Sequence, residues 1–356
     1  MHERFRYRNS YYQYYLVRSR NSMRILLITS DNCKAPSVGY RMRAALKRAG
    51  QSVFCFNYRS FQLHRFSLGR AIIARALLQR AHSVRPDIAF ILKGETIQSA
   101  TIQALKHQGI HTVCWTLDDP FGTDNPSNHI PAMPDYDTFF SFDSSYIPAL
   151  KKINPHSHFL PLAVDPTLHA EQINLYQRRE IYPISFYGSH YPNRQTFLEQ
   201  LADIPITIMG FRWVQKTTNT SLHKYVISSN LNSDRSMSDL KKVCTFFNQT
   251  KINLNIHYTH SVNSPNLRVF EIPATNSFQL CNDLPDLHTM FVPDKEIVLY
   301  KDIADCRKKI KHYLEHPEER KRIAAAGYRR VLAEHTFDHR MKDALRFILQ
   351  DMKQRK

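Results

Sequence analysis

The chain has 356 residues, 42% of them apolar and 22% charged, values that exclude a disordered polymer and exceed one ordinary core, so two domains are expected. Forty-nine Lys and Arg against 31 Asp and Glu leave a formal charge of +18, which predicts an anionic partner: a membrane surface, an acidic glycan or nucleic acid. No apolar run approaches the ~18 residues of a membrane span, the best candidate, 71–78, being split by Arg75.

Residues 1–22, basic and tyrosine-rich, read neither as core nor as a secretory signal. They are either a basic-aromatic arm suited to a membrane interface or sequence upstream of a start at Met23. Strand-length runs follow at 24–29, 52–57, 87–92, 111–117, 138–143 and 157–163, with helical patterns between them. Val38, Met42, Ala45, Leu46 and Ala49 share one helix face that ends at Gly50, and Leu68, Ile72, Ile73, Ala76 and Leu77 share another. This alternation predicts a Rossmann-like domain over 23–165, then a polar linker over 166–180. It restarts at 184–188 and 206–210 and continues through 252–256, 278–280 and 297–300, predicting a second such domain over 181–334. The last fifty residues read as helical, broken at Pro317 and Gly327, and the stretch 335–356 is expected to pack back on the first domain. Six scattered cysteines without a C-x-x-C pair fit free thiols in a reducing cytosol.

Charge is unevenly placed: residues 1–100 hold 18 basic and 4 acidic side chains. The next fifty contain six aspartates, among them Asp118 and Asp119, which follow the fourth strand where parallel sheets bind ligands. One of them could serve as a general base, and Asp-Asp-Pro is equally good turn chemistry. Arg268 and Glu271 are three apart, hence on one face of a helix expected to begin near Pro265-Asn266, whose positive end suits a diphosphate. An ordinary surface pair has the same spacing. Gly188 follows the first strand of the second domain, where backbone can approach a phosphate, with Arg194 a few residues on to neutralise it. Eighteen histidines show no metal-ligand spacing, and Asp135-Tyr136-Asp137 sits in a proline-flanked loop, so neither metal nor cofactor is expected.

Asn266-Leu267-Arg268-Val269-Phe270-Glu271-Ile272-Pro273-Ala274 resembles the N-x-R-x-F-E-x-x-A motif of the spore-maturation-protein-like branch of group 1 GT-B glycosyltransferases. Pro317-Glu318-Glu319-Arg320, Ala324-Ala325-Ala326-Gly327 and Glu334-His335-Thr336-Phe337 with Arg340 are similar to that branch's closing signature. Trp115-Thr116-Leu117-Asp118-Asp119-Pro120, Phe142-Asp143 and Leu160-Pro161-Leu162-Ala163-Val164-Asp165 are similar to its amino-terminal half. The resemblance implies a GT-B fold, two Rossmann-like domains with parallel sheets facing a cleft and a helical tail. It also implies transfer of a sugar, without a metal, from a nucleoside-diphosphate donor (UDP-sugar favoured) to a glycan, lipid-linked or protein acceptor in bacterial surface glycosylation. Glu271 would then bind the ribose, Arg194 would face the diphosphate, and Ser37 and Gly39 would form the small-residue loop beside the donor. With Gly188, Asn266 and Arg268 these are the expected donor residues, and Asp118 and Asp119 would face the acceptor. Group 1 members often carry another glutamate eight residues before Glu271; here Asn263 stands there, which keeps open a degenerate protein that binds nucleotide without turnover. The expected location is cytoplasmic, with peripheral association at an anionic inner membrane face. A basic nucleic-acid-binding protein is the reading from another class, against which stands the absence of any recognition-motif signature. A Rossmann oxidoreductase lacks its G-x-G-x-x-G, since Thr29-Ser30-Asp31-Asn32-Cys33-Lys34 follows the first strand.

Overall fold

The computed structural model of the protein describes residues 22–59, 67–122, 129–169, 180–216, 220–228, 230–234 and 236–354. The arm expected over 1–22 lies outside them apart from Ser22, and so does 170–179 of the expected linker.

Strands β1 (Arg24–Thr29), β2 (Ser52–Asn57), β3 (Ile88–Leu92), β4 (His111–Thr116), β5 (Thr138–Ser141) and β6 (Ser157–Phe159) form a parallel sheet in the order β2-β1-β3-β4-β5-β6. Helices α1 (Val38–Arg48), α2 (Ser67–Val84), α3 (Ser99–His107) and α4 (Ile147–Ile153) join them. β3 and β4 are buried along their whole length, as the central strands of a sheet covered on both faces must be. α1 starts at Ser37, whose Oγ accepts the Tyr40 N–H at 3.2 Å, and stops before Gly50, whose φ of +81° ends the helix at little steric cost.

A second parallel sheet, in the order β12-β11-β10-β7-β8-β9, comprises β7 (Tyr182–Tyr187), β8 (Ile206–Met209), β9 (Val226–Ser228), β10 (Thr250–Asn255), β11 (Gln279–Asn282) and β12 (Val298–Tyr300). Its helices are α5 (Pro192–Glu199), α6 (Met237–Asn248), α7 (Arg268–Ala274), α8 (Ile303–Glu315) and α9 (Pro317–Glu334), followed by α10 (Phe337–Gln354). The edge strand β9 is absent from the sequence reading because three residues, the middle one exposed, are too few to carry a periodicity.

Two local expectations are corrected. Gly327 does not break the tail: it lies inside α9, where a Cβ would sit 2.5 Å from the Glu296 carbonyl oxygen, so its role is close packing. The interruption comes at His335-Thr336 instead, where Thr336 bridges to Val164. α7 begins at Arg268 rather than near Pro265, because the Asn266 carboxamide accepts the Arg268 N–H at 3.0 Å and shapes a turn first.

α10 returns to the first domain. Phe337, Met341, Ala344, Leu345 and Ile348, on one face, join a core that holds Ile25 and Leu27 of β1, Met42 and Leu46 of α1, and Trp115 of β4. Full burial of each large side chain is worth about 2 kcal/mol. The far end is fixed by Asp351, 1% exposed, which accepts from Thr138 Oγ1 at 2.7 Å and His158 Nε2 at 3.0 Å. Burial works against that carboxylate, and His158 and Thr138 outweigh it, holding Asp351 below its ordinary range.

Candidate functional site

The carboxyl ends of the two sheets face each other across a cleft of about 350 Å³. The first domain supplies Val38, Lys93, Leu117, Asp118 and Leu162; the second supplies Tyr187–Ser189, Leu231–Asp234, Asn266–Arg268 and Glu271. Of the residues expected from sequence, Gly188, Asn266, Arg268, Glu271 and Asp118 thus lie together. Arg194, Asp119, Ser37 and Gly39 do not line the cleft.

Gly188 is held in place by its neighbours. Its N–H donates to Met209 O at 3.0 Å and its carbonyl accepts the Trp213 indole at 2.8 Å. A Cβ on Gly188 would meet Arg268 Nη1 at 2.9 Å, so the glycine makes room for a guanidinium. That guanidinium donates through Nε to Asn255 Oδ1 at 3.2 Å, and Asn255 in turn exchanges a carboxamide hydrogen bond with Asn266 at 3.0 Å. Arg194 lies beneath, 4% exposed, with Nε on Ile256 O at 3.0 Å and Nη1 on Ser189 O at 2.9 Å. It stands 5.0 Å over the Tyr191 ring. Burial, reinforced by the charge of Arg268, drives Arg194 well below the ordinary guanidinium range, and burial lowers Arg268 as well. Among the described residues, no carboxylate lies within ion-pair distance of either group. His257 lies near both: its Nδ1 donates to Asn282 Oδ1 at 2.7 Å, and burial with the two arginines beside it pushes the ring down to about 3. It stays neutral and adds no third cation. Arg268, partly desolvated and without a carboxylate at ion-pair distance, faces the cleft as a group that an anion would satisfy, with Arg194 buried behind it on backbone carbonyls.

Glu271, 3% exposed, is the negative counterpart one helical turn away. Its Oε1 accepts from Arg41 Nη1 at 3.1 Å and lies 3.4 Å from His169 Nε2. Burial opposes its ionisation, but His169 and Arg41 prevail and lower it to about 2, so the carboxylate is ionised at neutral pH.

On the first-domain side, Asp118 Oδ2 pairs with Lys93 Nζ at 2.7 Å. Burial works against the Lys93 charge and Asp118 more than compensates, raising the ammonium above its ordinary value. Lys93 was missed by sequence reading; its place just after the third strand was the available signal. Asp119 accepts the Phe121 N–H at 2.8 Å, the role of a turn residue. Ser37 and Gly39 serve Asp31: its carboxylate accepts from Ser37 Oγ at 3.0 Å, Gly39 N at 3.3 Å and Cys33 N at 2.6 Å. A Cβ at Gly39 would fall 2.5 Å from that carboxylate, which fills the space before α1. Asp135 and Asp137 point elsewhere, to Gln103 of α3 and to the Thr112 backbone.

The loop that carries Asn263 is docked on the first domain. Asp143 Oδ2 accepts three consecutive backbone N–H groups, Val262 at 2.9 Å, Asn263 at 3.1 Å and Ser264 at 3.0 Å. The Asn263 carboxamide donates to Ser144 Oγ at 3.1 Å.

Residues 193–346 match the family model described as glycosyl transferase-like. The chain is also 24% identical over 277 residues to the spore protein CgeB of Bacillus subtilis, covering 73% of this chain and 82% of that protein. Among solved structures, a sucrose-phosphate synthase of Thermosynechococcus elongatus superposes with a TM-score of 0.65 at 11% identity, over 92% of this chain and 98% of the other. The trehalose 6-phosphate synthase of Burkholderia multivorans gives 0.64 at 11% identity, over 94% and 100%. Anabaena HepE, solved with UDP and glucose, gives 0.62 at 11% identity, over 92% and 100%. The fold is GT-B. Within the GT-B frame, β7, α5 and α7 belong to the second domain, and the cleft lies between the two sheets. The glycosyl transferase-like match covers Arg194, Arg268 and Glu271 and runs on into α10.

Proposed function

We propose that this GT-B protein is a glycosyltransferase that takes a hexosyl group from a nucleoside-diphosphate sugar, UDP-sugar favoured, and passes it to an acceptor hydroxyl without a metal ion. The observation that carries this reading is Arg268, a guanidinium in the cleft without a carboxylate at ion-pair distance, packed on Gly188 and one turn from the ionised Glu271. A diphosphate supplies the missing negative charge, and a ribose supplies hydroxyl donors for the carboxylate. Anabaena HepE, which shares the fold, has been solved with UDP, with UDP and glucose, and with UDP-glucose, which supports a uridine donor here.

In this mechanism Arg268 binds the diphosphate and stabilises charge as the glycosidic bond breaks; Arg194 stiffens the loop that presents it. Asp118 faces the acceptor and, in an inverting reaction, takes the proton of the attacking hydroxyl; Lys93 holds that carboxylate in place. The test is thermal stabilisation by UDP, GDP, dTDP and ADP, with and without magnesium. A ligand at ~100 times its dissociation constant adds about 2.7 kcal/mol, and UDP is expected to do so without magnesium. No shift with any diphosphate would sink the proposal.

The acceptor belongs at an anionic membrane face, as a surface glycan, lipid-linked sugar or protein. From Asn32 to Pro86 the chain has no acidic residue, and α2 exposes Leu68 (71%) and Ile72 (40%) beside Arg75 and Arg80. An aliphatic-and-arginine face suits lipid headgroups better than nucleic acid. The protein is expected to float with phosphatidylglycerol vesicles at low salt and Leu68→Asp to float less; equal recovery with neutral vesicles would contradict it.

A further inference from the structure

Arg41 sits in α1 of the first domain, and its side chain is fully buried. Nε donates to its own domain, at Pro36 O (3.0 Å). Both terminal nitrogens reach into the second: Nη1 to Glu271 Oε1 at 3.1 Å and Nη2 to Asp234 Oδ1 at 2.9 Å. His169, in the segment joining the domains, approaches the same Oε1 at 3.4 Å, its Nδ1 fixed on Asp165 O at 3.0 Å. Oε1 is therefore occupied, whereas Oε2 accepts no hydrogen bond from a described residue and Glu271 lines the cleft. Glu271 and Asp234 border the cleft; Arg41 stands behind them and does not line it.

A buried carboxylate holds its charge and orientation only when a partner compensates it. For Glu271 that partner comes from the opposite domain. We infer that Arg41 is a cross-domain positioning residue: it holds Oε1 so that Oε2 is presented to a ribose hydroxyl, and ribose recognition is complete only when the two domains are together. The inference rests on the reading of Glu271 as the ribose carboxylate. Arg41 touches no ligand atom, and its effect is on discrimination rather than on attraction for the diphosphate. Pairing to both Glu271 and Asp234 also means that closure orders the Leu231–Asp234 segment and the ribose carboxylate together.

Calorimetric titration of UDP, 2′-deoxy-UDP and 3′-deoxy-UDP into wild type, Arg41→Gln and Arg41→Lys separates positioning from mere structural damage. Wild type is expected to prefer UDP to at least one deoxy analogue by about tenfold or more, the worth of a hydrogen bond to a charged group. Arg41→Gln is expected to bring that ratio within about twofold, and Arg41→Lys to restore part of it. A general loosening of the fold would weaken all three ligands alike and keep the wild-type ratio, which would overturn the inference. Should Arg41→Gln fail to fold, Asp234→Asn loosens the same guanidinium from a side chain 38% exposed. A ratio unchanged in that variant overturns the inference too. If wild type binds UDP yet discriminates neither analogue, the ribose reading of Glu271 fails first. If it binds no diphosphate, the donor site itself fails. Each of these failures appears in the wild type, before any variant is considered.

Discussion

Arg268→Met is expected to weaken binding of nucleoside diphosphates by about 100-fold while making the empty protein more stable, by on the order of 1 kcal/mol. Both effects follow from one feature. Arg268 is lowered by burial, has no carboxylate within ion-pair distance among the described residues, and lies close enough to Arg194 to depress it further. The sign is that of a base whose folded-state pKa is lowered: carrying its proton at neutral pH opposes folding, and replacing it with an apolar side chain of similar length removes that cost. Binding of a diphosphate reverses the balance, since the anion replaces lost water with charge-assisted hydrogen bonds. Melting curves with and without UDP provide the check. A variant that melts lower without ligand, or retains wild-type affinity, would contradict the account. Sites that keep function at the expense of stability behave in this way generally.

Gly210→Ala is expected to lower the melting temperature of the second domain by roughly 6–12 °C, from an overpacking cost of about 3 kcal/mol. A Cβ there would lie 1.9 Å from the Gly188 carbonyl oxygen and 2.6 Å from its carbon, and every one of the three nearest atoms is backbone. No rotamer can relieve the clash. The carbonyl that must move is the acceptor for the Trp213 indole, and Gly188 is also the residue packed under Arg268. Loss of stability should therefore come with loss of diphosphate affinity. Gly109→Ala is the contrast: no atom lies within 4 Å of a Cβ there, and its φ of +76° leaves only a local backbone cost.

Much of the architecture was legible because its signals are local. A run such as Ile25-Leu26-Leu27-Ile28 declares a strand covered on both faces, and Gly50 marks the end of α1. β9 and the continuity of α9 through Gly327 were not legible. The first is too short for a pattern, and the second depends on a carbonyl from another segment. The site divides in the same way. Gly188, Asn266, Arg268 and Glu271 could be picked out from motif spacing, and they come together in the cleft. Arg41, His169 and Asp143 act across the domain boundary, on partners 230, 102 and about 120 positions away, and no window of sequence contains both members. Lys93 lies between these cases: its place after a strand was visible, but its pairing with Asp118 was not. Ser37 and Gly39 show the converse, since small residues at the start of a helix leave room equally for a phosphate or for the chain's own Asp31.

The return of α10 has a consequence for biosynthesis. The residues that finish the first domain's core, Phe337, Met341, Ala344, Leu345 and Ile348, leave the ribosome only after every strand of the second domain. Domains usually form in the order in which they emerge. Here the first domain waits with the face of β1, α1 and β4 uncovered while the whole second domain is made. For that interval the nascent chain presents a long apolar groove, and a ribosome stalled anywhere before Phe337 would strand the protein in that state.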